Sequence, residues 1–143
     1  MALNGWPAFQ LGGVRPPLKR FPIAAAQTFV FGNLVVLDAS GDIEECGADP
    51  AEITGMAAEN AADVIESGYV MVYVATDDAY FAMECSSDPT EAAIGEDYGV
   101  VLASSVWTVD LTDTTNVRVL VLGVDTTRNL AFVKVISTVR TFA

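Results

Sequence analysis

The chain has 143 residues, no histidine, two cysteines and a net charge of −12, a length that suits one domain burying its own core. It excludes His-based triads, imidazole bases and His metal ligands. An apolar fraction of 52% and a mean hydropathy of +0.40 exclude a disordered chain, yet no apolar run approaches the roughly 18 residues of a membrane span.

The segment 1–22 is unlike the rest. It holds four of the six prolines (Pro7, Pro16, Pro17, Pro22) together with Trp6, Phe9 and Phe21, and Arg15, Lys19 and Arg20 without an acid. Met1–Pro7 lacks a basic stretch followed by an apolar one, so no secretory signal is expected and synthesis in a cytoplasm is the simplest assumption. Prolines argue against a regular element, and aromatic and basic residues on an extended arm suit anchoring in another protein's pockets. The expected organisation is therefore an extended, basic, Pro-rich N-terminal arm over 1–22 and a β domain over 23–143. The other reading of the arm is a self-packed or disordered tail.

From Phe21 to Val117 the body carries 18 acidic residues and no Lys or Arg. Phosphate neutralisation supplies most nucleic-acid affinity, so binding of nucleic acid through this body is not expected. The carboxylates keep an apolar chain soluble.

The body begins near Ile23. Apolar runs Leu34 to Leu37 and Ile43 to Cys46 flank a polar turn in which Gly41 supplies positive φ for a hairpin. Glu45-Cys46-Gly47-Ala48-Asp49-Pro50-Ala51-Glu52 follows, and Glu84-Cys85-Ser86-Ser87-Asp88-Pro89-Thr90-Glu91 repeats its pattern 39 residues later. Both read E-C-x-x-D-P-x-E. The second copy ends the runs Tyr69 to Ala75 and Ala79 to Cys85, which are expected to pair antiparallel around Thr76-Asp77-Asp78. The reading is an internal hairpin pseudo-repeat, each copy closed by a structural Asp-Pro turn, Asp49-Pro50 and Asp88-Pro89. Cys46 and Cys85 then occupy equivalent positions, either as two buried thiols or as a disulfide across the pseudo-symmetry.

Between the copies, Ile53 to Ala58 reads as a short strand, and Ala57 to Glu66 as one or two helical turns ending before Gly68. Further strands are expected at Tyr98 to Ala103 and Trp107 to Leu111. Val117 to Val124 and Leu130 to Val139, rich in β-branched residues, flank the turn Asp125 to Asn129. The fold class is mainly β: an antiparallel barrel or sandwich of eight or more short strands. Val119-Leu120-Val121-Leu122 does not alternate, so both faces of that strand need cover, and a neighbouring subunit can provide it. A homo-oligomer or docking on a larger partner is expected.

The chemistry-bearing residues form no recognisable centre. Neighbouring carboxylates such as Asp77-Asp78 and Glu96-Asp97 can in principle serve a glycosidase, which needs two carboxyls at a suitable separation, but acids in turns are ordinarily solvated. Asp42, Glu44 and Glu45 fit no calcium loop. Gly12-Gly13 is followed by no GK[ST]. No enzyme activity, metal or cofactor is expected.

The stretch Gln27-Thr28-Phe29-Val30-Phe31-Gly32-Asn33-Leu34-Val35-Val36-Leu37-Asp38, the turn leading to Ile43-Glu44-Glu45-Cys46, and Asp49-Pro50 through Ile53-Thr54-Gly55-Met56-Ala57 resemble the capsid cement, or head decoration, proteins of tailed bacteriophages. The resemblance covers roughly residues 23 to 75 and rests on a pattern of small and apolar residues. Phe31 stands where a basic residue is common, and the 22-residue arm lies outside the pattern. The resemblance implies a β-rich, often trimeric virion protein on the outside of an expanded capsid, where it bridges major capsid protein subunits and stabilises the shell. With it, Trp6, Phe9, Arg15, Lys19 and Arg20 become the expected capsid-binding arm. Rival readings are a carbohydrate-binding or adhesive surface module and a tail or tube subunit.

Overall fold

The structure is a computed structural model and describes residues 5–8 and 14–142. Eleven strands are present among them: β1 (Trp6–Pro7), β2 (Leu18–Pro22), β3 (Leu34–Leu37), β4 (Ile43–Glu45), β5 (Gly55–Ala57), β6 (Tyr69–Val74), β7 (Phe81–Glu84), β8 (Asp97–Ala103), β9 (Val106–Asp110), β10 (Val119–Asp125) and β11 (Leu130–Val135). Helix is confined to α1 (Ala61–Val64) and a 3-10 turn at Glu91–Ala93. The mainly β expectation holds. Residues 57–66 serve both readings, because β5 runs through Ala57 and α1 follows, with Gly68 at φ 80° just past it.

The strands form two antiparallel sheets. The first has the order β1-β7-β11-β10-β8-β9. It curls into a half-barrel whose ends meet where Cys85 bridges Val109 in parallel and the Ser86 N–H donates to the Val109 carbonyl at 2.9 Å. The second has the order β2-β6-β5-β3-β4, and a parallel bridge from Ile23 to Ile43 joins its ends likewise. Gly55 permits the β5–β6 contact, since a Cβ there would overlap the Tyr73 carbonyl oxygen.

The larger core lies between the sheets and includes Trp107, Phe81, Met83, Val109 and Val133 of the first with Leu34, Ile53 and Met56 of the second. A smaller one, Phe29, Val35, Ile43, Ala57, Ala61, Val70 and Val72, fills the other side of the second sheet beneath α1. The alternation along β6 decides this: Val70 and Val72 are buried while Tyr69, Met71 and Tyr73 face the other way.

Three expectations are corrected. Tyr69–Ala75 and Ala79–Cys85 do not pair, for β6 lies in the second sheet and β7 in the first. The turn at Thr76-Asp77-Asp78 carries the chain across between sheets rather than reversing it, so only the first E-C-x-x-D-P-x-E copy ends a hairpin, β3–β4. The pattern of a strand's apolar residues specifies its buried face and leaves its partner open.

Secondly, the described part of 1–22 is extended but lies on the body throughout. Trp6 pairs with Ala82, the Val14 N–H donates to the Asp78 carbonyl (2.9 Å), the Pro17 carbonyl accepts from the Val74 N–H (2.8 Å), and β2 pairs with β6 from Leu18–Tyr73 to Pro22–Tyr69. Prolines are accommodated because β2 is an edge strand. The Val74-to-Pro17 and Ile23-to-Gly68 bonds set the register so that Leu18, Arg20 and Pro22 turn their backbone groups away from β6. The missing N–H of Pro22 is therefore no loss. Thirdly, Val119 to Leu122 alternates after all: Val119 and Val121 are buried and Leu120 and Leu122 half-buried, with a bulge between Val121 and Gly123.

Candidate functional site

The seven cations divide into two groups. Lys134 and Arg140 both approach the Asp77 carboxylate, at 3.2 and 3.6 Å. Arg128 pairs with Asp125 at 2.8 Å, which holds the Asp125 carboxyl below its ordinary range. Arg118 donates from Nε to the Pro50 carbonyl and from Nη2 to that of Asp49 (3.5 Å), fastening the first Asp-Pro turn. The remaining three, Arg15, Lys19 and Arg20, are exposed on β2 and the residues just before it, and none of them pairs with a carboxylate of the described residues.

The structure separates these three by face. Lys19 shares a face with Phe21, whose ring stacks on Phe142 with centroids 6.4 Å apart. Arg20 lies on the opposite face, its guanidinium 4.6 Å from the centroid of the Tyr69 ring. Trp6 is half-buried on the first sheet beside β7, apart from β2. Phe9 lies outside the described residues.

The Arg20 face carries residues that the sequence reading passed over. Leu18, Tyr69 and Phe31 are 49, 47 and 38% exposed, large values for apolar side chains. Phe31 meets Tyr73 edge-on with centroids 6.3 Å apart. The alternation of Tyr69, Met71 and Tyr73 with buried valines was the available signal, but only the sheet order shows that their face emerges from under the first sheet.

The conserved chemistry of a reaction centre finds no counterpart in the geometry of the other singled-out residues. Glu45 accepts a hydrogen bond from the buried Trp107 Nε1–H at 3.1 Å, joining the two sheets. Asp49 adopts φ 48° in its turn, and Pro50 and Pro89 are both buried. Cys46 and Cys85 are free and buried in one core. Burial and then neighbouring carboxylates, Glu45 first, push the Cys46 thiol far up; burial followed by Glu84 pushes Cys85 up to about 11. Among the described residues no three Cys, Asp or Glu side chains are grouped to hold a metal, no cavity was found, and no helix is long and apolar enough to cross a membrane.

What this arrangement can do is bind. An exposed edge strand with uncompensated cations, on a chain otherwise acidic, attracts an acidic surface. Comparison of the chain with protein-family models, with curated proteins and with solved structures returned no match.

Proposed function

We propose that the protein is a structural virion protein that docks on the outside of an expanded phage capsid and stabilises it by bridging major capsid protein subunits. The observation that carries this reading is the gathering of the three uncompensated cations, Arg15, Lys19 and Arg20, on the β2 edge of an otherwise acidic molecule. The likeness of residues 23 to 75 to the cement proteins supports it. The docking contact is then the β2 edge with Arg15 and Lys19 facing carboxylates of the capsid.

The mechanism needs no chemistry. A protein that binds the expanded lattice and not the unexpanded one stabilises the expanded state by mass action. Many copies on a symmetric shell multiply a modest contact, because each bridges several subunits.

Mixing the purified protein with expanded undecorated heads and with unexpanded procapsids, then sedimenting both, tests the reading. Co-sedimentation with expanded heads alone is expected, and Arg15→Glu with Lys19→Glu should weaken it at least about tenfold, equivalent to about 1.4 kcal/mol. Equal recovery from both lattices, or from neither, overturns the proposal. Retention on specific glycans with no capsid binding would establish the adhesive alternative instead.

A further inference from the structure

The outer face of β6 is apolar at its centre and oppositely charged at its two borders. Tyr69, Met71 and Tyr73 share this face, with Leu18 directly opposite Tyr73 on β2 and Phe31 packed against Tyr73 from the β5 side. The sheet order β2-β6-β5 fixes which border is which.

On the β2 border lies Arg20, stacked on Tyr69. On the β5 border the Phe31 N–H donates to Asn60 Oδ1 (2.9 Å), and Asn60 Nδ2 donates to Asp63 Oδ2 (3.3 Å), so the exposed Asp63 sits beside Phe31. Glu59 is on the same side, accepting from the Met71 N–H at 2.8 Å. A cation and a carboxylate thus flank one apolar strip.

We propose that this face closes on the same face of a second copy of the chain about a two-fold axis. A half-turn centred on β6 lays the Arg20 border of one copy on the Asp63 border of the other, twice, while the aromatic strip meets itself. Self-complementarity of this kind is what an isologous contact requires. A three-fold ring needs two different complementary surfaces, whereas this one surface carries both signs. Tyr69, Phe31 and Met71 form the centre that water leaves, and the flanking charges set the register. The contact goes beyond docking on a capsid and does not depend on it, because it forms between free molecules.

Sedimentation equilibrium of the full chain over a range of concentrations tests it without any capsid. The expected mass is twice the 15.1 kDa of the chain, with dissociation promoted by salt. Tyr69→Glu should give a monomer. Arg20→Asp and Asp63→Arg should each weaken dimerisation about tenfold or more, and the two combined in one chain should recover most of it, since they exchange the borders. Both are exposed positions, so the exchange remains readable if Tyr69→Glu fails to fold. A monomer at every accessible concentration, a trimer, or a dimer indifferent to the charge exchange overturns the proposal. Capsid sedimentation with the monomeric variant separates this outcome from failure of the docking reading.

Discussion

At the scale of single residues, the buried polar and titratable groups are the points of tension. Trp107 is fully buried and its indole N–H has Glu45 as partner across the sheet junction. Removing the acceptor leaves that donor without water or protein to replace it. Glu45→Ala should therefore cost about 1–3 kcal/mol in urea unfolding, and Glu45→Gln, which keeps an acceptor, distinctly less. The cysteines test burial in another way. With Cys85 raised to about 11 and Cys46 above it, both thiols are protonated at neutral pH and should resist alkylation in the native protein, becoming reactive on unfolding. The sign of the linkage follows. An unfolded thiol near 9.0 loses its proton before the folded one, so the contribution of Cys85 to stability is complete below about pH 9 and declines as pH rises towards 11. Rapid native labelling of both thiols, or stability rising over that interval, would contradict the burial described.

At the scale of elements, β2 changes the expected role of the N-terminus. Lys19, Arg20 and the prolines at 16, 17 and 22 are the residues with which exposed edges are kept from pairing with other chains. They protect an edge as well as presenting charge. Deleting residues 1–22 removes β1 and β2, uncovers the β6 edge and exposes Val70 and Val72. The loss should be roughly 3–5 kcal/mol, from the ladder bonds and the burial of Phe21 and Ala8, with aggregation accompanying it. A truncated protein with unchanged melting temperature would show that the strand contributes nothing. The hairpins β3–β4 and β10–β11 were legible because a turn signal lies between two strand-forming runs: Gly41 at φ 83°, and Asp125 accepting from the Thr127 and Arg128 N–H groups at 3.1 Å. The partner of β6 was not. Its neighbours β2 and β5 come from residues 18–22 and 55–57, and no local turn records such a choice. The repeated E-C-x-x-D-P-x-E motif does mark two equivalent chain positions, each a buried cysteine followed by a buried proline, without marking equivalent hairpins. Of the site, Arg15, Lys19 and Arg20 were legible from their isolation in an acidic sequence. Phe31 and Tyr69 were not, because exposure of an apolar residue is decided by which sheet covers which.

At the scale of the whole molecule, the sheets are joined at many points. The 69–82 segment crosses between them with the N-terminal segment laid along it, Asn33 Nδ2 reaches the Ser105 carbonyl at 3.3 Å, and the C-terminal segment returns from β11 to bridge Ile53 through Arg140. Thr54 Oγ1 and Thr141 Oγ1 complete that last seam at 2.7 Å. These connections make cooperative unfolding the natural behaviour. The antiparallel course of the N-terminal segment also imposes a timetable on synthesis. Trp6 and its partner Ala82 are 76 positions apart (82 − 6), which at roughly 5–20 residues per second is several seconds of elongation. All five strands of the second sheet lie between residues 18 and 74, so that sheet can assemble first on the growing chain. Its face bearing Leu34 and Met56 must then wait uncovered until β11 has been made, and the nascent half-molecule is the form most in need of a chaperone.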